Sequence, residues 1–181
     1  MSAGLAAWPP RLGGLACLAI LAGCASAPPP LLEGASWSGR LGWSVAATAS
    51  EPARQAGAAF ELRGSPHEGW LELTSPLGTL LARARWGAGV VELETAGATS
   101  RHADLAALSR QAFGGQEMPL AALFDWLRGR PWPAAPHAAR EEGFAQLGWL
   151  VDVRALGEGR LTATRPAEPA ITLRVRLEQG P

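Results

Sequence analysis

Ile171-Thr172-Leu173-Arg174-Val175-Arg176-Leu177-Glu178 alternates apolar and polar side chains without a break. Successive side chains of an extended chain point to opposite faces, so a period of two describes a strand with one dry and one wet face. The same reading applies near the start of the domain. There Trp37, Gly39, Leu41, Trp43 and Val45 share one parity, and Ser36, Ser38, Arg40, Gly42 and Ser44 the other. Between these two stretches, strands are predicted at Gln55–Arg63, Gly69–Thr74, Thr79–Trp86 and Val90–Thr95, with a short piece at Thr99–Arg101. Later strands are predicted at Gly143–Gln146, Trp149–Arg154 and Leu161–Arg165. Gly64-Ser65-Pro66 and Gly87-Ala88-Gly89 supply turns.

In the middle of the chain the period changes. Asp104–Phe113 sets Leu105, Leu108 and Ala112 at helical spacing, and Gly114-Gly115 stops the run. Pro119 opens a second helix in which Leu120, Leu123, Phe124 and Leu127 follow i, i+3, i+4, i+7. Pro131, Pro133 and Pro136 form a loop. The order is five or six strands, two short helices, then about four strands. Short turn-linked strands of this kind favour a mainly antiparallel sheet that curls toward a barrel, an α+β fold dominated by β.

The 181 residues suffice for one ordinary domain, and 48% hydrophobic with 18% charged residues suits a packed globule. The formal net charge is +0, so no basic surface argues for nucleic acid. Cys17 and Cys24 are the only cysteines. The body of the protein therefore has neither a disulfide nor a thiol nucleophile, and its fold must rest on the core alone.

The leader has one charge, Arg11, followed by an apolar run over Leu12–Leu21. About ten apolar residues fit a signal segment and are too few to span a bilayer, which takes about 20. The run ends in Leu21-Ala22-Gly23-Cys24. This resembles the lipobox of bacterial lipoproteins, which implies cleavage after residue 23, diacylglycerol on the Cys24 sulfur and acylation of the new amino terminus. An ordinary secretory cut at Ala25-Ser26-Ala27 is the competing reading. Residue 25 is Ala rather than the Asp that retains enteric lipoproteins in the inner membrane, which leans toward the outer membrane. Residues 24–35, with Pro28-Pro29-Pro30, form a short semi-rigid tether to a domain at 36–181.

Signatures of catalysis are missing. His67, His102 and His137 lie far apart without ligand spacing, and neither HExxH nor GxSxG occurs. Glu92 with Glu94, and Glu141 with Glu142, could pair as acid and base but fit solvated positions more simply. No enzyme, metal or cofactor is expected.

Four stretches, in order, resemble the LolB family of outer-membrane lipoproteins. They are Leu71-Glu72-Leu73-Thr74-Ser75-Pro76-Leu77-Gly78-Thr79, then Pro119-Leu120 with Trp126-Leu127-Arg128-Gly129-Arg130-Pro131, then Gly143-Phe144 through Gly148-Trp149-Leu150-Val151, and the final alternating strand. The resemblance implies a curved antiparallel sheet forming an incomplete barrel, with a short helical lid over its concave side. It also implies a protruding loop, Pro76-Leu77-Gly78, whose Leu77 places cargo in the membrane. The partners it implies are the periplasmic lipoprotein carrier LolA, the acyl chains of cargo lipoproteins and outer-membrane lipid, met by a monomer. The chain departs from the family pattern at Leu62, often Trp, and at Leu177-Glu178-Gln179, where an aromatic is common. Both positions bear on cavity shape.

Acyl chains need an apolar shelter, since burial is worth about 25 cal/mol per Å². Trp43, Phe60, Leu71, Leu73, Leu80, Leu123, Phe124 and Leu127 supply apolar faces for one. The residues alone leave open whether those faces enclose a cavity or a dry core, and only the resemblance favours the cavity. The function expected is receipt of lipoproteins and their insertion into the outer membrane. The alternatives are a structural lipoprotein acting through protein contacts and a tethered carrier of another amphiphile.

Overall fold

A computed structural model describes residues 34–179. The leader at 1–23, Cys24 and the tether as far as residue 33 lie outside the described residues. Eleven strands form one sheet. Six come first: β1 (Ala35–Val45), β2 (Arg54–Gly64), β3 (Gly69–Thr74), β4 (Leu80–Gly87), β5 (Val90–Thr95) and β6 (Ala98–Arg101). Two helices follow, α1 (Leu105–Ala112) and α2 (Leu120–Trp126). The chain closes with β7 (His137–Arg140), β8 (Gly143–Gln146), β9 (Trp149–Asp152), β10 (Arg160–Arg165) and β11 (Ile171–Gln179), with a 3-10 turn at Leu156–Glu158.

The spatial order is β6-β5-β4-β3-β2-β1-β11-β10-β9-β8-β7, every pair antiparallel. Two meanders are thus fused where the first strand meets the last, while β6 and β7 are left as free edges. The sheet is an incomplete barrel, as expected. Antiparallel pairing also sends successive hairpins to alternate rims. The first rim gathers the connections at 46–53, 75–79, 96–97, 147–148 and 166–170. The second gathers those at 65–68, 88–89, 141–142 and 153–159. The segment 102–136, with both helices, leaves the second rim at β6 and re-enters the sheet on the first rim at β7.

Alternation sorts the side chains. Trp37, Leu41, Val45, Ile171, Leu173 and Val175 are buried inward, while Arg40, Arg174 and Arg176 face out. On the outer face Arg83 bridges two neighbouring strands, at 2.8 Å from Glu72 and 3.3 Å from Glu94. Cross-strand pairs of this kind contribute about 0.2–1 kcal/mol each and help to fix register.

The helices are shorter than the sequence predicts, because their end residues serve as caps. Asp104 Oδ1 accepts from Ala107 N at 2.7 Å, and Pro119 occupies the cap position rather than the first helical turn. Gly115 N donates to Arg110 O at 2.7 Å and closes α1, as the double glycine foretold. One element escapes the sequence. Strand β7 lies where a loop around His137 is expected; its four residues are all exposed and carry no alternation, so only pairing with β8 defines it. The hairpin at Leu147-Gly148 is a two-residue turn with φ of +55° and +78°. That primed turn suits Asn-Gly, and Leu in the left-handed region costs about 1–2 kcal/mol.

The β1–β11 seam tolerates no side chain at residue 39. A Cβ on Gly39 would lie 2.1 Å from the carbonyl oxygen of Arg176. Gly39→Ala is expected to lose about 1–3 kcal/mol of stability, the usual cost of overpacking, as a lowered urea midpoint.

Candidate functional site

Helix α2 lies inside the curve of the sheet. Ala122, Leu123, Phe124, Asp125, Trp126 and Leu127 are buried in succession, so it is covered all round rather than along one stripe. Aromatic side chains hold it there. Phe124 meets Trp37 and Trp86 edge-on at centroid distances of 5.6 and 6.1 Å, and Trp126 meets Phe144 at 6.3 Å and Trp149 at 6.2 Å. Phe113, at the end of α1, meets Trp43 at 5.9 Å. Such contacts contribute about 0.5–1.5 kcal/mol each beyond area burial.

A small polar set secures this lid. Gln146 Oε1 accepts from Trp126 Nε1 and from Trp132 N, both at 2.9 Å. Its Nε2 donates to Trp132 O at 2.7 Å and Ala135 O at 2.8 Å, so one buried amide ties α2 and the proline loop to β8. Ser109 Oγ accepts from Met118 N at 3.2 Å and fixes α1 to the start of α2. Arg128 donates to Phe124 O at 2.8 Å and lays its guanidinium 4.7 Å over the Trp37 ring. Asp125 pairs with Arg130 at 2.7 Å. Gln146, Ser109, Arg128, Asp125 and Arg130 are not among the residues the apolar pattern selects. Gln146 could have been noticed, since it falls on the same parity as Phe144.

Of the residues predicted to line a shelter, Phe60, Leu71, Leu123, Phe124 and Leu127 sit in one buried cluster, with Trp43 and Leu73 packed against it. Leu80 is not brought to it. A bulge at Leu81 sets Leu80 opposite Thr74, off the row of Ala82, Ala84 and Trp86. With the lid in place the interior beside α1 is closely packed. The space enclosed by Leu71, Leu73, Ala84, Leu93, Leu108, Phe113 and Leu120 amounts to ≈ 10 Å³, room for about one water molecule. The indole N–H of Trp37 is buried in this interior and finds no acceptor among the described residues.

The loop Pro76-Leu77-Gly78 has the opposite character. Ser75 organises it: Gly78 N donates to Ser75 O at 2.9 Å, and Leu77 N and Thr79 N donate to Ser75 Oγ at 3.3 and 3.1 Å. Gly78, at φ +80°, takes the left-handed step the turn needs. Leu77 is 94% exposed at its tip, on the first rim.

The outer face of the sheet is polar. A groove of ≈ 590 Å³ there is lined by Arg40, Arg154, Arg160, Arg174 and Arg176 with Asp152. Hydrogen bonds from the Arg154 side chain and backbone hold the Asp152 carboxyl below its ordinary range. Whatever stability this pair adds is present at neutral pH and is lost only on acidification below that range. Glu92 and Glu94 are ion-paired with Arg101 and Arg83, and Glu141-Glu142 is an exposed turn. His67 lies in a turn, and His102 meets Ser100 Oγ at 3.0 Å. Among the described residues no three His, Cys, Asp or Glu side chains gather as a metal site, and no helix is long and apolar enough to cross a membrane.

The family model described as "Outer membrane lipoprotein LolB" matches residues 36–176. The chain is similar to the outer-membrane lipoprotein LolB of Bordetella petrii, with 36% identity over 174 residues, covering 90% of this chain and 82% of that protein. It is 35% identical to that of Bordetella pertussis over 145 residues, covering 73% and 71% of the two chains. It is 32% identical to that of Chromobacterium violaceum over 142 residues, covering 73% and 75%.

Gln146→Ala would leave the Trp126 indole and two backbone groups without partners. An unsatisfied buried group costs about 1–3 kcal/mol. Its chemical denaturation midpoint is expected to fall by the equivalent of about 3 kcal/mol, with faster amide exchange across Leu120–Trp126.

Proposed function

The chain belongs to the LolB family of outer-membrane lipoproteins, and on that premise we propose that its cup accepts the acyl chains of lipoproteins from the periplasmic carrier LolA and releases them into the outer membrane. The protein itself is anchored there through lipid on Cys24. The observation that carries this reading is Leu77, a large apolar side chain 94% exposed on a turn that Ser75 fastens on both sides. Exposure of that degree wastes apolar surface in water and is useful at a bilayer interface, where the side chain leaves water again.

The lid supports the acceptance step. Helix α2 contributes no strand to the ladder, and apolar and aromatic contacts hold most of its surface. Acyl chains offer the same cluster equivalent apolar contact. Exchange of helix surface for acyl surface therefore costs far less than opening the cluster to water. The unpaired Trp37 N–H is a donor that a cargo carbonyl would satisfy. No nucleotide site is invoked; transfer runs downhill from carrier to receptor to membrane.

One observation favours a second reading. The closely packed interior beside α1 suits a structural lipoprotein that acts through its surface. A lipoprotein-loaded carrier mixed with the purified domain separates the two. Cargo moving to the domain supports the receptor, and cargo remaining on the carrier refutes it. Leu77→Glu should still take cargo but fail to release it into liposomes, with normal release counting against the loop. Cys24→Ala should move the protein from the membrane to the soluble fraction. Continued sedimentation with membranes would mean that lipid on Cys24 is not the anchor.

A further inference from the structure

Five large hydrophobic residues are exposed among those described: Leu77, Leu81, Val90, Leu147 and Leu150. Four of them belong to two hairpins. Leu77 is the tip between β3 and β4, and Leu81 bulges from the strand that follows. Leu147 is the tip between β8 and β9, and Leu150 follows it on β9. Both tips are on the first rim, on either side of the β1–β11 seam and six strand spacings apart. That is about 29 Å along the sheet at ~4.8 Å per strand.

Leu147 is the less expected of the pair. It holds φ +55° in a turn whose geometry favours Asn, Asp or Gly, and it is 45% exposed. Neither local conformation nor burial accounts for a leucine there. Strain at an exposed position is a pointer to function.

The charge on the two rims identifies what the leucines meet. The five hairpin connections of the first rim hold two charged residues, Glu51 and Glu168, and Glu51 is paired with Arg54. The four shorter connections of the second rim hold five: Glu68, Glu141, Glu142, Arg154 and Glu158. The hairpin connections at one end of the cup are nearly free of charge and have leucine tips, and those at the other are charged. In an outer-membrane lipoprotein the apolar surface always within reach is the bilayer.

We propose that the Leu147-Gly148 hairpin is a second membrane contact, so that the cup meets the bilayer with its first rim, on two leucine tips, Leu77 and Leu147. This rests on the membrane role proposed for Leu77 and extends it from a single tip to an orientation. Two contacts six strand spacings apart would hold that whole rim against lipid, where a single tip would leave the cup free to tilt.

Past Cys24 the chain has no cysteine, so single labels are specific. The mature lipidated chain, carrying Leu77→Cys, Leu147→Cys or His67→Cys with an environment-sensitive fluorophore, is reconstituted in phosphatidylethanolamine–phosphatidylglycerol vesicles. Labels at 77 and 147 should shift to shorter wavelength, and the label at 67, on the opposite rim, should stay as in water. A shift at 77 without one at 147 overturns the second contact and leaves the first intact. No shift at either tip defeats the Leu77 reading, and this one with it. A shift at all three overturns the first-rim orientation. Leu147→Asn suits the turn and should fold at least as stably as the parent, yet release cargo into the same vesicles more slowly. Unchanged release would also overturn the proposal.

Discussion

The ladder between β1 and β11 makes one sheet of two meanders. Without it, β1–β6 and β7–β11 would be separate ribbons, each exposing an apolar face. With it, Leu41, Trp43 and Val45 line up beside Val175, Leu173 and Ile171, and a continuous inner surface exists for the helices to cover. Close backbone approach at Gly39 is the price of that pairing. The pairing is also the least local of the strand ladders among the described residues, joining segments more than a hundred residues apart, so its loop-closure entropy must be met by the burial it permits.

Legibility of the fold followed the physics of each element. Strands that bury one face announce themselves by alternation, which is why Gly69–Thr74, Val90–Thr95 and Gly143–Gln146 were placed to the residue. Strand β7 buries no face and so carries no such mark. The bulge at Leu81 breaks the parity on which the inward reading of Leu80 depended, because two residues there face one partner. For α2, spacing indicated a single apolar stripe, whereas Ala122 and Asp125 are buried as well. A small side chain and a paired carboxylate can be covered without looking apolar. Leu77 was readable as a tip because Pro76 and Gly78 bracket it. Leu147 was passed over because the flanking strands, not the residue, determine the handedness of a two-residue turn.

The forces in the interior are divided between sheet and lid. Sheet strands are joined by backbone hydrogen bonds, which are directional and cost several partners when broken. The helices are joined to the sheet by aromatic edges and aliphatic contacts, with Gln146, Ser109 and Arg128 as local fastenings. Apolar contacts are interchangeable in a way that hydrogen bonds are not. In the acceptance step proposed above, a hydrocarbon chain would replace the apolar contacts of Phe124 and Leu123, while the Gln146–Trp126 hydrogen bond is the polar contact that displacement of α2 would break.

The unpaired edges allow the interior a change of volume at little backbone cost. Strands β6 and β7 are each four residues long and form no ladder with one another, so the barrel has a slit rather than a seam on that side. A closed barrel could widen only by rupturing a row of hydrogen bonds or changing its shear. Here the circumference can grow by parting β6 from β7, like a split ring sprung over a shaft. The brevity of both edges keeps the gap from templating strands of other chains while it stands open.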